Sequence, residues 1–371
     1  MLDTLRERFS DFRNRKVADP AFRRWASRFP LTRRIARRQA KSLFDLTAGF
    51  VYSQVLVACV RVGLFDMLAP GALDLDTVAS RIDLPCSAAD RLLKAAVSLG
   101  LVETRQGGRY ALGPLGAALV GNPGVEAMIL HHDILYRDLQ DPLALLAGQT
   151  AADLKSYWAY AGGETAGAAP PRRHADYTRL MSASQAFVTD EILQAHSFKQ
   201  HRRLLDVGGG DATFLITAGR TAPQLELALF DLPPVAAIAR QRLLAAGLAG
   251  RAKVHSGSFL HDPLPAGADI VTLIRVLHDH DDAPALALLA AIRKAIAPGG
   301  TLLIAEPMAG TVGAEASGDA YFGFYLLAMG QGRPRTVNEI GNLLGRAGFA
   351  GHSEIATGTP LIARIVAART T

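Results

Sequence analysis

From Arg202 onward the chain alternates apolar runs of strand length with longer helical ones, and the first run breaks into three consecutive glycines. The strand candidates are 203–207, 225–230, 252–255, 269–274 and 301–306. Helical patterns fill the gaps, including 283–297, which stops at Pro298-Gly299-Gly300. Strands separated by helices are joined by crossovers, which run right-handed and give a parallel sheet. Two more runs, Ser353–Ala356 and Leu361–Ala367, flank Gly358-Thr359-Pro360 and predict an antiparallel hairpin at the sheet edge. The predicted architecture is therefore α/β and doubly wound.

The glycines follow Leu204-Leu205-Asp206-Val207, and a helix is predicted from near Thr213. Glycine lets a ligand approach the backbone, and a helix N-terminus offers free N–H groups. In a pyrophosphate-type G-x-G-x-x-G turn the third glycine would be residue 213, which is threonine. That argues against a nicotinamide oxidoreductase. The second strand ends in Phe230-Asp231, 25 residues after Asp206, where a carboxylate can accept both hydroxyls of a ribose. His278 follows the fourth strand and Glu306 ends the fifth, both at the carboxyl edge where such folds bind ligands. A neutral imidazole is the natural proton acceptor near pH 7, and a carboxylate beside it can orient it and stabilise its charge. His278 is thus the candidate general base and Glu306 its partner. His280, Asp281 and Asp282 come next, but no ligand set at metal-binding spacing is visible, and no metal is predicted.

The N-terminal half differs in charge and texture. Residues 1–41 hold 13 Lys/Arg against four acidic residues, a net +9 in a chain of net +6, so the remainder carries −3. Phe9, Phe12, Phe22, Trp25 and Phe29 are interleaved with these bases. The arm reads either as a solvated tail or as a surface attracted to anionic lipid or a partner. Ser42–Leu68 has helical apolar spacing. Helices to about Ile82 and over Ser87–Leu99 follow, then a hairpin of 101–104 and 109–112 around Gly107-Gly108: a winged-helix pattern. Residues 123–200 look helical around a Gly/Ala/Pro-rich loop, 161–171. No apolar run reaches the ~18 residues that span a bilayer, and no secretory signal is visible. Cys59 and Cys86 read as two buried thiols of a reducing compartment, which points to the cytoplasm.

Four segments together resemble the plant-type (family 2) S-adenosylmethionine-dependent O-methyltransferases. They are Asp206-Val207-Gly208-Gly209-Gly210, Phe230-Asp231-Leu232-Pro233, Arg275-Val276-Leu277-His278-Asp279 and Pro298-Gly299-Gly300-Thr301-Leu302-Leu303-Ile304-Ala305-Glu306. The resemblance implies a Rossmann-like class I methyltransferase domain over 201–371, with its antiparallel edge strand. Before it would come a basic arm (1–41), a winged-helix-like dimerisation domain (42–122), all-helical but for its wing, and acceptor-pocket helices (123–200). It also implies S-adenosyl-L-methionine as cofactor and a homodimer. Gly208 and Gly210 would line the methionyl portion with Asp206 nearby, Asp231 would bind the ribose, and Ser258 and Phe259 would flank the adenine. The family usually has an acidic residue at 258. Tyr177–Ser184 resembles the helix that closes over the site, with Ser184 meeting the cofactor carboxylate and Met181 the substrate.

The segment His131–Pro142 and the basic arm are similar to bacterial carotenoid O-methyltransferases of the hydroxyneurosporene or demethylspheroidene type. These methylate the C1 hydroxyl of acyclic carotenoids. His131, His132 and Tyr136 are then candidates for the acceptor pocket, and the arm for peripheral contact with the cytoplasmic membrane face. The family's Gly-x-Glu-Arg-Thr segment reads Gly332-Arg333-Pro334-Arg335-Thr336 here. That removes one carboxylate and leaves Asp279 as an alternative partner of the base. Two other acceptors stay open, a polyketide phenol or a carbon atom, tetrapyrrole carbons included. The non-enzyme alternative is a winged-helix DNA-binding regulator. Its recognition helix would carry only Arg91 and Lys94, so no nucleic acid partner is expected.

Overall fold

The computed structural model describes residues 2–150, 152–157 and 185–370. The 161–171 loop and the segment Tyr177–Ser184, with Met181 and Ser184, lie outside the described residues. The chain forms two units, Met1–Gly121 and Asn122–Thr371.

The first unit opens with α1 (Leu2–Ala18), α2 (Pro20–Arg28) and α3 (Arg33–Arg61). Asp19 starts α2 by accepting the Ala21 N–H at 2.8 Å, and Pro20 supplies a first-turn residue that has no N–H to satisfy. Gly63, at φ +63°, breaks the long helix before α4 (Leu64–Leu68). Asp74 caps α5 (Leu75–Arg81) through the Thr77 N–H, and α6 (Cys86–Ser98) leads into the hairpin β1 (Val102–Arg105) and β2 (Arg109–Leu112). Its turn is made by Gly107 and Gly108, both at positive φ. A Leu73–Tyr110 bridge adds a third short edge, and α7 (Pro114–Ala117) closes the unit.

Helix α3 leaves Leu43, Phe44, Leu46, Phe50 and Val51 exposed. It is long and apolar enough to cross a membrane, with a window of mean hydropathy 1.6, although no unbroken apolar run is. The window averages over Ser53 and Gln54, which interrupt the run. Cys59 is buried, and burial pushes its thiol up to about 12. Cys86 is exposed, contrary to the sequence expectation. As the first residue of α6 it turns outward, and its thiol donates to Asp76 at 3.3 Å.

The second unit is built on a seven-stranded sheet: β3 (Arg203–Val207), β4 (Glu226–Asp231), β5 (Ala252–Ser256), β6 (Ala268–Ile274), β7 (Ile296–Glu306), β8 (His352–Ile355) and β9 (Arg364–Arg369). Their order is β5-β4-β3-β6-β7-β9-β8. The first five in that order are parallel; β9 is antiparallel to both β7 and β8. The antiparallel strand therefore lies one place in from the edge. Leu205 and Val207 join one buried cluster with Val271 and Leu273, while Leu204 and Ile270 join the other. This period of two buries both faces of the sheet, as helices on both sides require. Strand β7 starts at Ile296, five residues before the expected 301. The register shifts between Ala268↔Ile296 and Ile270↔Thr301, and that irregularity absorbs Pro298-Gly299-Gly300.

Chain order reverses between β3 and β6, which opens a crevice at their carboxyl ends. Ahead of the sheet come α8 (Pro123–Asp138), α9 (Pro142–Leu146), α10 (Asp153–Tyr157) and α11 (185–195). The Asp138 carboxylate accepts the N–H groups of Asp153 and Leu154, at 2.7 and 2.9 Å. Around the sheet lie α12 (Thr213–Thr221), α13 (Pro233–Ala245) and α14 (Asp282–Ala295). After β7 a π-helix, Ala316–Phe322, runs into α15 (Gly323–Met329), and α16 (Val337–Arg346) follows.

Candidate active site

The crevice is a cavity of about 220 Å³, bounded by the turn Gly208–Asp211, by Asp231, by Gly257–Leu260, by Ile274–Val276 with His278–His280, and by Phe322 and Tyr325. The glycine turn is fixed from beneath. Gly208 and Gly210 sit at φ +70° and +60°, and the Gly208 N–H donates to the Phe230 carbonyl at 2.8 Å. A Cβ on Gly208 would lie 2.7 Å from Val276, and one on Gly209 only 2.6 Å from the Asp206 carboxylate; at Gly210 nothing lies within 4 Å. The turn is thus packed below and open above.

Asp206 is not in the cavity wall. It is buried under the turn and accepts the Thr272 hydroxyl at 2.6 Å, and burial pushes it up to about 7. Its role is to shape the turn. Thr213, which broke the dinucleotide pattern, has a local partner in Asp211. Asp211 accepts the threonine hydroxyl at 2.6 Å and its N–H at 3.1 Å.

Asp231 lines the cavity and accepts two N–H groups, from Gly210 at 2.8 Å and from Leu232 at 2.7 Å. Burial still raises it to about 6. Each carboxylate oxygen keeps a lone pair for a ligand hydroxyl. Such hydroxyls favour the ionised form, so ligand affinity is expected to fall as pH drops through about 6. Calorimetric titration with S-adenosylhomocysteine between pH 5 and pH 8 checks this; affinity independent of pH would contradict it. Ser258 and Phe259, just after β5, line the same cavity. The Ser258 N–H is held by Asp262 at 2.8 Å, and the Phe259 ring meets His280 edge-on at 5.1 Å.

His278 is buried in the cavity wall on the one-turn helix Leu277–Asp279. Its Nε2 lies 3.3 Å from the Asp279 carboxylate, while its buried Nδ1 has no partner. Burial, with Arg275, His280 and Arg335 nearby, lowers it to about 3; burial raises Asp279 to about 8. Glu306 does not bond to the imidazole as the sequence suggested. Its Oε2 accepts the His278 backbone N–H at 3.1 Å, its Oε1 is buried without a partner, and burial pushes it up to about 7. Asp279 is the carboxylate that meets the ring.

The aromatic wall is carried by a feature that local periodicity hides. His131 and His132 point to different neighbours, as adjacent helical residues must. His131 Nε2 meets the Tyr325 hydroxyl at 2.9 Å, and His132 Nε2 meets that of Tyr321 at 2.7 Å. Tyr321 lies in the last turn of the π-helix and Tyr325 four residues on in α15, so adjacent residues of α8 hold both. Tyr325 lines the cavity; His132 and Tyr136 do not. The expected substrate contacts His132 and Tyr136 thus lie outside this cavity's wall, and His132 holds Tyr321. Phe322, Tyr325, Arg275 and His280 were missed from sequence. The one available signal was the aromatic cluster Tyr321-Phe322-Gly323-Phe324-Tyr325 beside the second helical segment.

A family model described as the O-methyltransferase domain matches residues 136–350. The chain belongs to the O-methyltransferase family. A second model, the O-methyltransferase dimerisation domain, matches 44–122 and includes the exposed Phe44, Leu46, Phe50 and Val51 of α3. Among curated relatives of this O-methyltransferase is the demethylspheroidene O-methyltransferase of Cereibacter sphaeroides, 45% identical over 325 residues, 88% of this chain and 86% of that one. The enzyme of the same name from Rhodobacter capsulatus is 40% identical over 345 residues, 92% and 85% of the two chains. Among solved structures, the calicheamicin-biosynthesis methyltransferase CalO1 in its SAH-bound form is 26% identical with a TM-score of 0.76, covering 90% and 98% of the two chains. Human N-acetylserotonin methyltransferase in complex with SAM is 26% identical with a TM-score of 0.73, covering 90% and 97%. This O-methyltransferase uses S-adenosyl-L-methionine, and the crevice suits that nucleoside. Its turn is open above Gly210, Asp231 lines the cavity at the second strand, and the buried His278 Nδ1 lacks a partner.

Proposed function

We propose that this O-methyltransferase methylates a hydroxyl of a large apolar acceptor, specifically the C1 hydroxyl of an acyclic carotenoid of the demethylspheroidene type. The observation that carries this reading is the 45% identity to a demethylspheroidene O-methyltransferase across 88% of the chain. The wall of Phe322, Tyr325 and Leu326 supports it, since an extended hydrocarbon needs an apolar lining. Gly208 and Gly210 would hold the methionyl part of the cofactor, Asp231 its ribose, and Phe259 its adenine. When bound, the sulfonium supplies a methyl group already activated by its positive charge.

The protein then aligns the acceptor oxygen and accepts one proton. His278 Nδ1 is the proposed acceptor. Asp279 as a carboxylate draws the Nε2–H and leaves the Nδ1 lone pair bare. Glu306 acts on the backbone of His278 and is a positioning residue in this scheme. The exposed Phe44, Leu46, Phe50 and Val51 of α3, inside the dimerisation-domain match, support a homodimer. Two free thiols fit a cytoplasmic location.

The test is incubation with methyl-labelled S-adenosylmethionine and a panel of hydroxylated acyclic carotenoids, small phenols and a tetrapyrrole, followed by mass analysis. A gain of one methyl on the carotenoids, with turnover at least about a hundredfold above the phenols, is the expected result. Labelling of phenols or tetrapyrrole alone would replace the proposed acceptor.

A further inference from the structure

Helices α1 and α2 carry an apolar stripe that their own unit leaves uncovered. Leu5, Phe9 and Phe12 are exposed and spaced by four and three residues, so they share one face of α1. On α2 and its C-cap, Trp25 and Phe29 are exposed four residues apart with rings stacked at 4.8 Å, and the half-buried Phe22 lies three residues before Trp25. Leu31 and Ile35 extend the exposed apolar surface. Around it lie the 13 bases of residues 1–41, all exposed. Among the described residues only Lys41 of these is ion-paired, to Asp45 at 2.6 Å.

Three partners could cover such a stripe. A second copy of the chain would bring its own +9 arm against this one, and like charge opposes that pairing. The dimerisation-domain match also starts at residue 44, beyond the stripe. Nucleic acid would pair with the bases but leave large aliphatic side chains such as Leu5 and Leu31 without a purpose. An anionic bilayer satisfies both features, because acyl chains cover the apolar stripe while headgroups neutralise the flanking arginines. We propose that residues 1–41 are a docking surface for anionic lipid bilayers. This inference stands on the arm alone and does not depend on which acceptor is methylated.

The full-length protein should be sedimented with vesicles of phosphatidylcholine alone and of phosphatidylcholine with one quarter phosphatidylglycerol. The expected result is binding to the anionic vesicles at least about tenfold tighter than to the neutral ones, weakening as salt rises from about 0.1 to about 0.5 M. Two variants separate the contributions. Arg8→Glu with Arg13→Glu and Arg15→Glu should abolish the preference for anionic lipid. Phe9→Ser with Phe12→Ser and Trp25→Ser should weaken binding to anionic vesicles about tenfold. Unchanged S-adenosylhomocysteine affinity in both variants establishes that they are folded.

Equal binding to both vesicle types would overturn the proposal, as would wild-type vesicle binding by either variant. So would a smaller oligomer by light scattering on the aromatic substitutions, because a second copy would then be the occupant. Tighter binding to random-sequence DNA than to the anionic vesicles would overturn it as well.

Discussion

His278→Ala is expected to lower kcat by about 10²–10⁴ while S-adenosylhomocysteine affinity stays within about threefold. The separation follows from the layout of the crevice. The turn Gly208–Gly210 follows β3 and Asp231 ends β4, whereas His278 follows β6 across the switch point. Its imidazole is buried, and its Nδ1 is one of the few buried polar side-chain atoms without a partner among the described residues. A tertiary alcohol is a weak acid, so the loss of a proton acceptor falls on the chemical step. Equilibrium titration and single-turnover rates measure the two effects separately. Turnover unchanged in His278→Ala would show that alignment alone drives the transfer.

The pH dependence sharpens the same expectation. Burial holds the imidazole neutral down to about 3, so its own titration sets no limb near neutrality. Asp279, raised to about 8, does. Protonated Asp279 donates to Nε2 and favours the tautomer with hydrogen on Nδ1, which cannot accept a proton. As pH rises through about 8 the carboxylate forms, takes the Nε2–H and frees Nδ1. In the wild type kcat therefore rises through that range, and Asp279→Asn flattens the rise.

Local chemistry decided what could be read from the sequence. The strand–glycine–helix run around Gly208 and the placing of Asp231 and His278 at one sheet edge follow from hydrophobic period and backbone freedom, which are properties of neighbouring residues. Where Glu306 points is not such a property. It ends the expected strand, yet it accepts a backbone N–H and leaves the ring to Asp279. The wall formed by Phe322 and Tyr325 depends on a π-helix, Ala316–Phe322, whose spacing departs from the 3.6-residue period. His132 is a pocket candidate by resemblance, and no local pattern could show that it meets Tyr321, 189 residues away. The same holds for Arg335, an unremarked residue of the Gly332–Thr336 segment that is completely buried.

Arg335 is the brace of the loop that carries the base. Its Nη1 donates to the Leu277 carbonyl at 2.9 Å and its Nη2 to the His280 carbonyl at 2.7 Å. Its Nε and Nη2 both reach the Asp282 carboxylate, at 3.0 and 2.7 Å. One guanidinium therefore ties together carbonyls on either side of His278 and the first turn of α14. The same segment pins His278 directly, since the Arg333 N–H donates to its carbonyl at 2.9 Å. Arg335→Ala strands two carbonyls and opens a cavity, and is expected to destabilise the fold by about 3 kcal/mol and to lower kcat about a hundredfold. Arg335→Lys keeps a charge but has no planar fork to serve both carbonyls and Asp282. Lysine should recover part of the stability and little of the turnover. Urea unfolding reads the first effect and single-turnover methylation the second. S-adenosylhomocysteine affinity should stay within about threefold in the lysine variant, because Gly208, Gly210 and Asp231 do not depend on this guanidinium. A lysine variant with wild-type turnover would mean that the loop holds His278 without the fork, and that Arg335 serves stability alone.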